Sequence, residues 1–274
     1  RYVYVLDLPS EEHHKVSVQL TSDYHTVRTE FVKVSDNIHD YEISPDGKRA
    51  VFSARGEVIT VPEKEGNTRN LTNSSGSHNK LPAWSPDGKW IAYISDETGE
   101  DELYMVSQDG SERVGLTTDG NCRRFGMKWS PNGKKLAFSD KNLKLYFIDI
   151  DKKETVQIDR SDYTELRDFS WSPDSRYLAY SKRLANGIHA LFVYSFNDDR
   201  TRQITPGYTN DFSPVFDPDG KYLYFLSERN FNPILSRYDF EFVNNAITNL
   251  YLIILSADEK SPFAPESDEA EIAE

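Results

Sequence analysis

One turn pattern recurs along this chain, and its spacing restricts the fold more than any other feature. The copies read Ile43-Ser44-Pro45-Asp46-Gly47, Trp84-Ser85-Pro86-Asp87-Gly88, Trp129-Ser130-Pro131-Asn132-Gly133, Trp171-Ser172-Pro173-Asp174-Ser175 and Phe216-Asp217-Pro218-Asp219-Gly220. Their prolines stand at 45, 86, 131, 173 and 218, so successive copies lie 41, 45, 42 and 45 residues apart. A period in the forties built from short strands predicts an all-β fold, a β-propeller in which each repeat is one four-stranded blade.

The turn residues have separate physical reasons. Proline presets φ near −65° for the first corner, Asp or Asn caps the turn through its side chain, and glycine takes the φ > 0 position that follows. Ser175 stands where the other copies have glycine. A serine held at positive φ costs about 1–2 kcal/mol, so a different turn geometry is expected in the fourth copy.

After each turn comes a nearly continuous apolar run: Arg49 to Ser53, Trp90 to Ser95, Lys135 to Ser139, Tyr177 to Ser181 and Tyr222 to Ser227. Such runs suit strands covered on both faces, here by neighbouring blades. A third strand follows in each repeat, at Glu57 to Val61, Glu102 to Val106, Lys144 to Ile148, Ala190 to Tyr194 and Asn249 to Ile253. Outer strands end in Asn70-Leu71-Thr72, Gly115-Leu116-Thr117, Val156-Gln157-Ile158 and Gln203-Ile204-Thr205, and the fifth repeat has no such ending. Trp84, Trp129 and Trp171 share one repeat position, which marks them as anchors between blades.

These runs give three regions. Residues 1–37 are read as the last strands of a preceding blade and a connector, 38–257 as five blades, and 258–274 as an acidic, Pro-containing linker or tail. Five blades and part of another suit a six- or seven-bladed ring that is cut or completed by another region. A cut ring leaves an apolar blade face uncovered and favours association between copies.

Composition removes several functions. The net charge of −13 disfavours a nucleic-acid or anionic-membrane binder, and the longest apolar stretch, Leu250 to Leu255, is too short for membrane insertion. One cysteine, Cys122, forbids an internal disulfide. There is no G-x-S-x-G elbow, no H-E-x-x-H helix and no Gly-rich phosphate loop, so no catalytic residue is assigned and no cofactor is called for. The adjacent His13 and His14 point to opposite faces of a strand and cannot share a metal. The acidic run Asp96 to Glu102 lacks the spacing of a calcium loop. No metal site is expected.

Propellers bind ligands at the axial channel and its mouths, where the segments entering the innermost strands converge. Those segments carry the candidate contacts His78, Lys80, Arg123, Arg124, Arg167, Asp168 and Asp211, with His39 and Asp40 beside them. Arginine forms bidentate, charge-assisted hydrogen bonds with a carboxylate, so basic groups in an acidic chain suit the carboxylate of a peptide. The alternative is that these charges pair with one another across blades or solvate the channel.

Three stretches carry a closer likeness. Ala54-Arg55-Gly56-Glu57-Val58-Ile59-Thr60-Val61-Pro62 with Arg69-Asn70-Leu71-Thr72, the run from Asp211 to Ser227, and Ser261-Pro262-Phe263-Ala264-Pro265-Glu266-Ser267 resemble the tricorn protease family and its bacterial homologues. The resemblance implies a non-catalytic propeller of a large serine peptidase that filters or guides peptides to or from a protease site outside this sequence. It further implies PDZ and protease domains in the same chain, a homo-oligomer and a cytoplasmic location, with a periplasmic one as the alternative. The turn alone is shared with the stand-alone interaction propeller of the Tol system and the gating propeller of prolyl-oligopeptidase-type enzymes.

Overall fold

The computed structural model describes residues 2–18, 32–74, 76–230, 233–235, 242–244 and 246–264. Five antiparallel sheets follow one another as blades, each with its first strand innermost. Blade I is β3 (Ile38–Ile43), β4 (Arg49–Ala54), β5 (Glu57–Pro62) and β6 (Arg69–Asn70). Blade II is β7 (Asn79–Trp84), β8 (Trp90–Ser95), β9 (Glu102–Ser107) and β10 (Arg113–Gly115), and blade III is β11 (Arg124–Trp129), β12 (Lys135–Asp140), β13 (Lys144–Asp149) and β14 (Glu154–Arg160). Blade IV is β15 (Phe169–Trp171), β16 (Tyr177–Arg183), β17 (His189–Ser195) and β18 (Arg200–Gln203).

Blade V has three strands among the described residues, β19 (Asp211–Phe216), β20 (Tyr222–Ser227) and β23 (Asn249–Ile254). Between β20 and β23 the chain makes a separate hairpin, β21 (Pro233–Leu235) with β22 (Phe242–Asn244), which has no counterpart in the other repeats. Ahead of blade I, β1 (Val3–Leu6) pairs with β2 (His13–Val16), so this hairpin starts its second strand before Lys15, and Gln19 and Leu20 lie outside the described residues. Among the described residues no helix is long and apolar enough to cross a membrane.

The turn repeats in hydrogen bonds as well as in sequence. Ser44 Oγ donates to Asp46 and accepts the Arg49 N–H at 2.9 Å, while the Lys48 N–H reaches the same carboxylate at 3.1 Å. Blades II and IV repeat this set at Ser85–Asp87 and Ser172–Asp174. The Ser44 hydroxyl, and then the Lys48 N–H, hold the Asp46 carboxyl below the usual carboxylate range.

Ser175 corrects one expectation. It does not change the turn: its φ of 61° matches the 73°, 69°, 70° and 70° of Gly47, Gly88, Gly133 and Gly220, and its N–H reaches the Ser172 carbonyl at 2.9 Å. The physical reason lies in the neighbouring blade. Turn glycines 88, 133 and 220 sit close to the proline ring of the preceding turn, whereas the Ser175 hydroxyl accepts the Asn132 N–H of the preceding turn at 3.0 Å. Ser175→Gly is therefore expected to stay within about 1 kcal/mol of the parent, because relief of αL strain offsets the lost hydrogen bond. Ser175→Ala keeps the strain and loses the bond, so it should cost about 1–2 kcal/mol in urea unfolding.

Apolar clusters hold the first four blades together. Val51, Val58 and Leu71 of blade I pack on Trp84, Ile91 and Tyr93 of blade II. Ile94, Leu103 and Leu116 meet Leu136, Phe138 and Ile148 at the next seam, and Leu145 and Phe147 meet Leu178, Tyr180 and Phe192 at the one after. The repeated tryptophans add a directional bond: Trp129 Nε1 donates to the Ala83 carbonyl at 3.1 Å, and Trp171 Nε1 to the Lys128 carbonyl at 2.9 Å. Trp84 packs in the same way, but its backbone N–H is bound by Glu42 and its indole N–H has no partner among the described residues. At the two ends of the row Tyr41 is 73% exposed and Leu250 59%, so the outward faces of blades I and V carry uncovered apolar side chains.

Burial also sets the alkaline limit. Burial, followed by the Glu97 carboxylate, raises the Tyr104 phenol from 10.0 to about 12, and burial with Asp199 raises Tyr194 to about 12. A raised phenol favours the folded state below the unfolded value, and that contribution is lost as pH rises from 10.0 through about 12. Phenolate absorbance should show these tyrosines titrating after the exposed ones, with urea midpoints falling across the same interval.

Candidate functional site

The innermost strands β3, β7, β11, β15 and β19 bound the axis, and the segments that enter them form one mouth of the channel. A cavity of about 400 Å³ lies among the first three, lined by His39, Asp40, Glu42, Leu81 and Met127. Three of the five strands carry a left-handed residue near the start, Leu81 (φ 52°), Gly126 (39°) and Ser213 (53°), each at a register shift in its pairing. These bulges rotate backbone N–H groups out of the ladder, toward the neighbouring blade.

Asp40 and Asp168 use those N–H groups. Asp40 accepts the Leu81 N–H at 3.2 Å and the Ser53 hydroxyl at 3.2 Å, and Asp168 likewise accepts the Ser213 N–H and the Ser181 hydroxyl, the latter at 3.0 Å. Both carboxylates therefore join one blade to the next. Asp211 is fully buried, and its Oδ1 accepts from Ser227, Thr209 and Arg229.

The basic candidates divide. Lys80 Nζ is 2.8 Å from both oxygens of Asp101, which also accepts the Arg124 N–H at 2.9 Å. The Arg124 side chain is 6% exposed and bonds Thr117 at 2.7 Å and Asp119 at 2.8 Å, with Glu102 at 3.2 Å. Arg124 is thus paired across the blade II–III seam, while the Lys80 pair lies within blade II. His78 is exposed, and its N–H donates to Asp96. Arg123 is exposed and has no ion pair among the described residues, while the exposed Arg167 pairs with Glu165 at 2.6 Å. These two guanidiniums converge: Arg167 lies 3.7 Å and Arg123 5.6 Å from the centre of the Phe125 ring.

Other groups at the axis were not among the sequence candidates. Lys128 donates to the Phe169 carbonyl at 2.7 Å, and burial holds its ammonium below the ordinary lysine range against the opposing pull of Asp168. Burial raises the Glu42 carboxyl, partly offset by the Trp84 N–H. Glu102 and Thr117 repeat a pair already present at Glu57 and Thr72, where the threonine hydroxyl donates to the carboxylate and accepts the N–H of the residue after the glutamate, Leu103 or Val58. Aligning the repeats on Leu-Thr would have found that signal. In the acidic run, Asp96, Glu97, Asp101 and Glu102 each have a separate hydrogen-bond or ion-pair partner. The Cys122 thiol is pushed up by burial and then by Asp140, the reverse of an activated nucleophile.

A family model described as the tricorn protease second beta propeller domain matches residues 38–274. The chain belongs to the tricorn protease family. A tricorn protease homolog of Saccharolobus solfataricus is 29% identical over 269 residues, covering 98% of this chain and 24% of the relative. A putative tricorn-like protease C-terminal subunit of Sulfurisphaera tokodaii is 30% identical over 261 residues, covering 95% and 30%. The crystal structure of the tricorn protease superposes with a TM-score of 0.78 at 21% identity, over 100% of this chain and 27% of that one, which establishes a shared fold. The tricorn-family chain described here thus spans 24–30% of the length of these relatives.

Proposed function

We propose that this propeller is a non-catalytic part of a tricorn-like serine peptidase and that it guides peptides, through its axial mouth, to or from a protease site outside these residues. The observation that carries the reading is the pair Arg123 and Arg167, two exposed guanidiniums that both approach the Phe125 ring at the mouth of a chain whose net charge is −13. A peptide carboxylate is the ligand that such guanidiniums recognise bidentately. His78 stands at the same mouth, and Lys80, Arg124, Asp168 and Asp211 keep the surrounding strands in register. The sequence motifs for hydrolysis are absent, so the proposed PDZ and protease regions of the same polypeptide supply the chemistry. Residues 258–274 act as the linker toward them, and the assembled enzyme is a cytoplasmic homo-oligomer.

Photo-crosslinking tests the location. A peptide carrying a benzophenone near its C-terminus should label the segments entering β11 and β15 and should remain uncleaved by this chain alone. Labelling confined to the outer strands β6, β10, β14 and β18 would remove the axial site.

A further inference from the structure

The innermost strand of each blade pairs on one side only, so its other edge presents backbone N–H and C=O groups to the axis. In β7 the N–H groups of that edge are taken. Asp40 accepts the Leu81 N–H at 3.2 Å, Glu42 accepts the Trp84 N–H, and Pro82 between them has none to give. In β19 Asp168 accepts the Ser213 N–H and Pro214 follows it, while in β15 the Phe169 carbonyl is held by Lys128 at 2.7 Å. Prolines and side-chain caps on an edge both keep a further strand from pairing there.

β11 differs at the same repeat positions. Gly126, Met127 and Trp129 stand where blade II has Leu81, Pro82 and Trp84. The residues placed to cap them, in the positions of Asp40 and Glu42, are Leu81 and Ala83, whose side chains hold no acceptor. Asp101 accepts the Arg124 N–H at 2.9 Å, and after it no side chain bonds a β11 N–H among the described residues. The Arg123 carbonyl accepts the Lys141 N–H at 2.9 Å and the Ser130 N–H reaches the Lys135 carbonyl at 2.8 Å, so by alternation Phe125 and Lys128 turn toward β12. Met127 and Trp129 therefore turn their backbone groups to the axis. The cavity of about 400 Å³ opens beside Gly126 and Met127, with His39, Asp40 and Glu42 across it.

We infer that β11 is the docking strand: an extended peptide adds to its axial edge, with the terminal carboxylate at Arg123 and Arg167 and its backbone bonded to Met127 and Trp129. The inference rests on the reading of those arginines as the carboxylate contact, which sets the direction. Arg123 precedes β11, so a carboxylate held there leaves the rest of the peptide running toward Trp129, antiparallel to the strand. Strand addition reads the main chain, which every peptide shares, and so suits a guide for mixed sequences.

Calorimetry on the whole chain tests this with one acetylated peptide that has a free carboxylate, made as a series with a single backbone N-methyl group at each position in turn. N-methylation at every second residue should weaken binding about tenfold and the positions between should leave it unchanged, the two-residue period of an added strand. Met127→Pro gives β11 the residue that β7 and β19 carry at this position, after a similar left-handed angle of 39° at Gly126 against 52° at Leu81 and 53° at Ser213. The folded variant should lose about tenfold in affinity and keep its preference for the free acid over the amide. A uniform effect of N-methylation in the parent chain, or a periodic one that Met127→Pro leaves untouched, would overturn strand addition at β11. Acid and amide bound alike, with the period intact, would instead remove the carboxylate contact and uphold the strand.

Discussion

Trp171→Ala is expected to lower stability by about 3–5 kcal/mol, the range for deleting a buried tryptophan side chain. The indole is 7% exposed, stacks on Phe196 at 5.0 Å, belongs to the cluster that joins blades III and IV, and donates to the Lys128 carbonyl at 2.9 Å. Truncation leaves a cavity between the two sheets and removes the bond to the Lys128 carbonyl. Trp171→Phe separates these effects, keeping most of the stacking while losing the bond, and should cost about 1–2 kcal/mol. Urea unfolding followed by circular dichroism reads both. A loss under about 1 kcal/mol for the alanine variant would mean that the repeated tryptophan is not a blade anchor.

Arg124→Met is expected to cost about 3–5 kcal/mol, because it breaks a buried pair from one side. Glu102 has a side chain 4% exposed and bonds Thr117 and the Gly120 N–H, so it stays in place as an uncompensated charge. Glu102→Gln in the same chain removes that charge, and the double variant should recover about half of the loss. Arg123→Ala, one residue away but exposed at the mouth, should change stability by no more than about 0.5 kcal/mol. The contrast between neighbouring arginines is the useful readout: one holds a seam, the other is the proposed ligand contact.

That contrast also marks where residues alone stop being informative. The repeat, the second and third strands and the inter-blade role of the tryptophans follow from spacing and turn chemistry, because each blade has to cover its apolar faces with the next. Ser175 does not follow, since the Ser172–Asp174 bonding frame and the neighbouring Asn132 N–H hold it at positive φ against its own preference. The division between Arg123 and Arg124 depends on strand register, which the bulge at Gly126 shifts by one residue within β11. Asp40 and Asp168 become seam bonds only because Leu81 and Ser213 take left-handed backbone angles that their residue types disfavour.

The most direct measurement is a calorimetric titration of this chain with one peptide in two forms, a free C-terminal carboxylate and its amide, repeated on the Arg123→Ala/Arg167→Ala double variant. The free acid is expected to bind about tenfold more tightly than the amide, and the variant to lose that preference while unfolding at the parent's urea concentration. Equal affinities for acid and amide in the parent chain, or a preference untouched in the double variant, would contradict peptide guidance at the axial mouth.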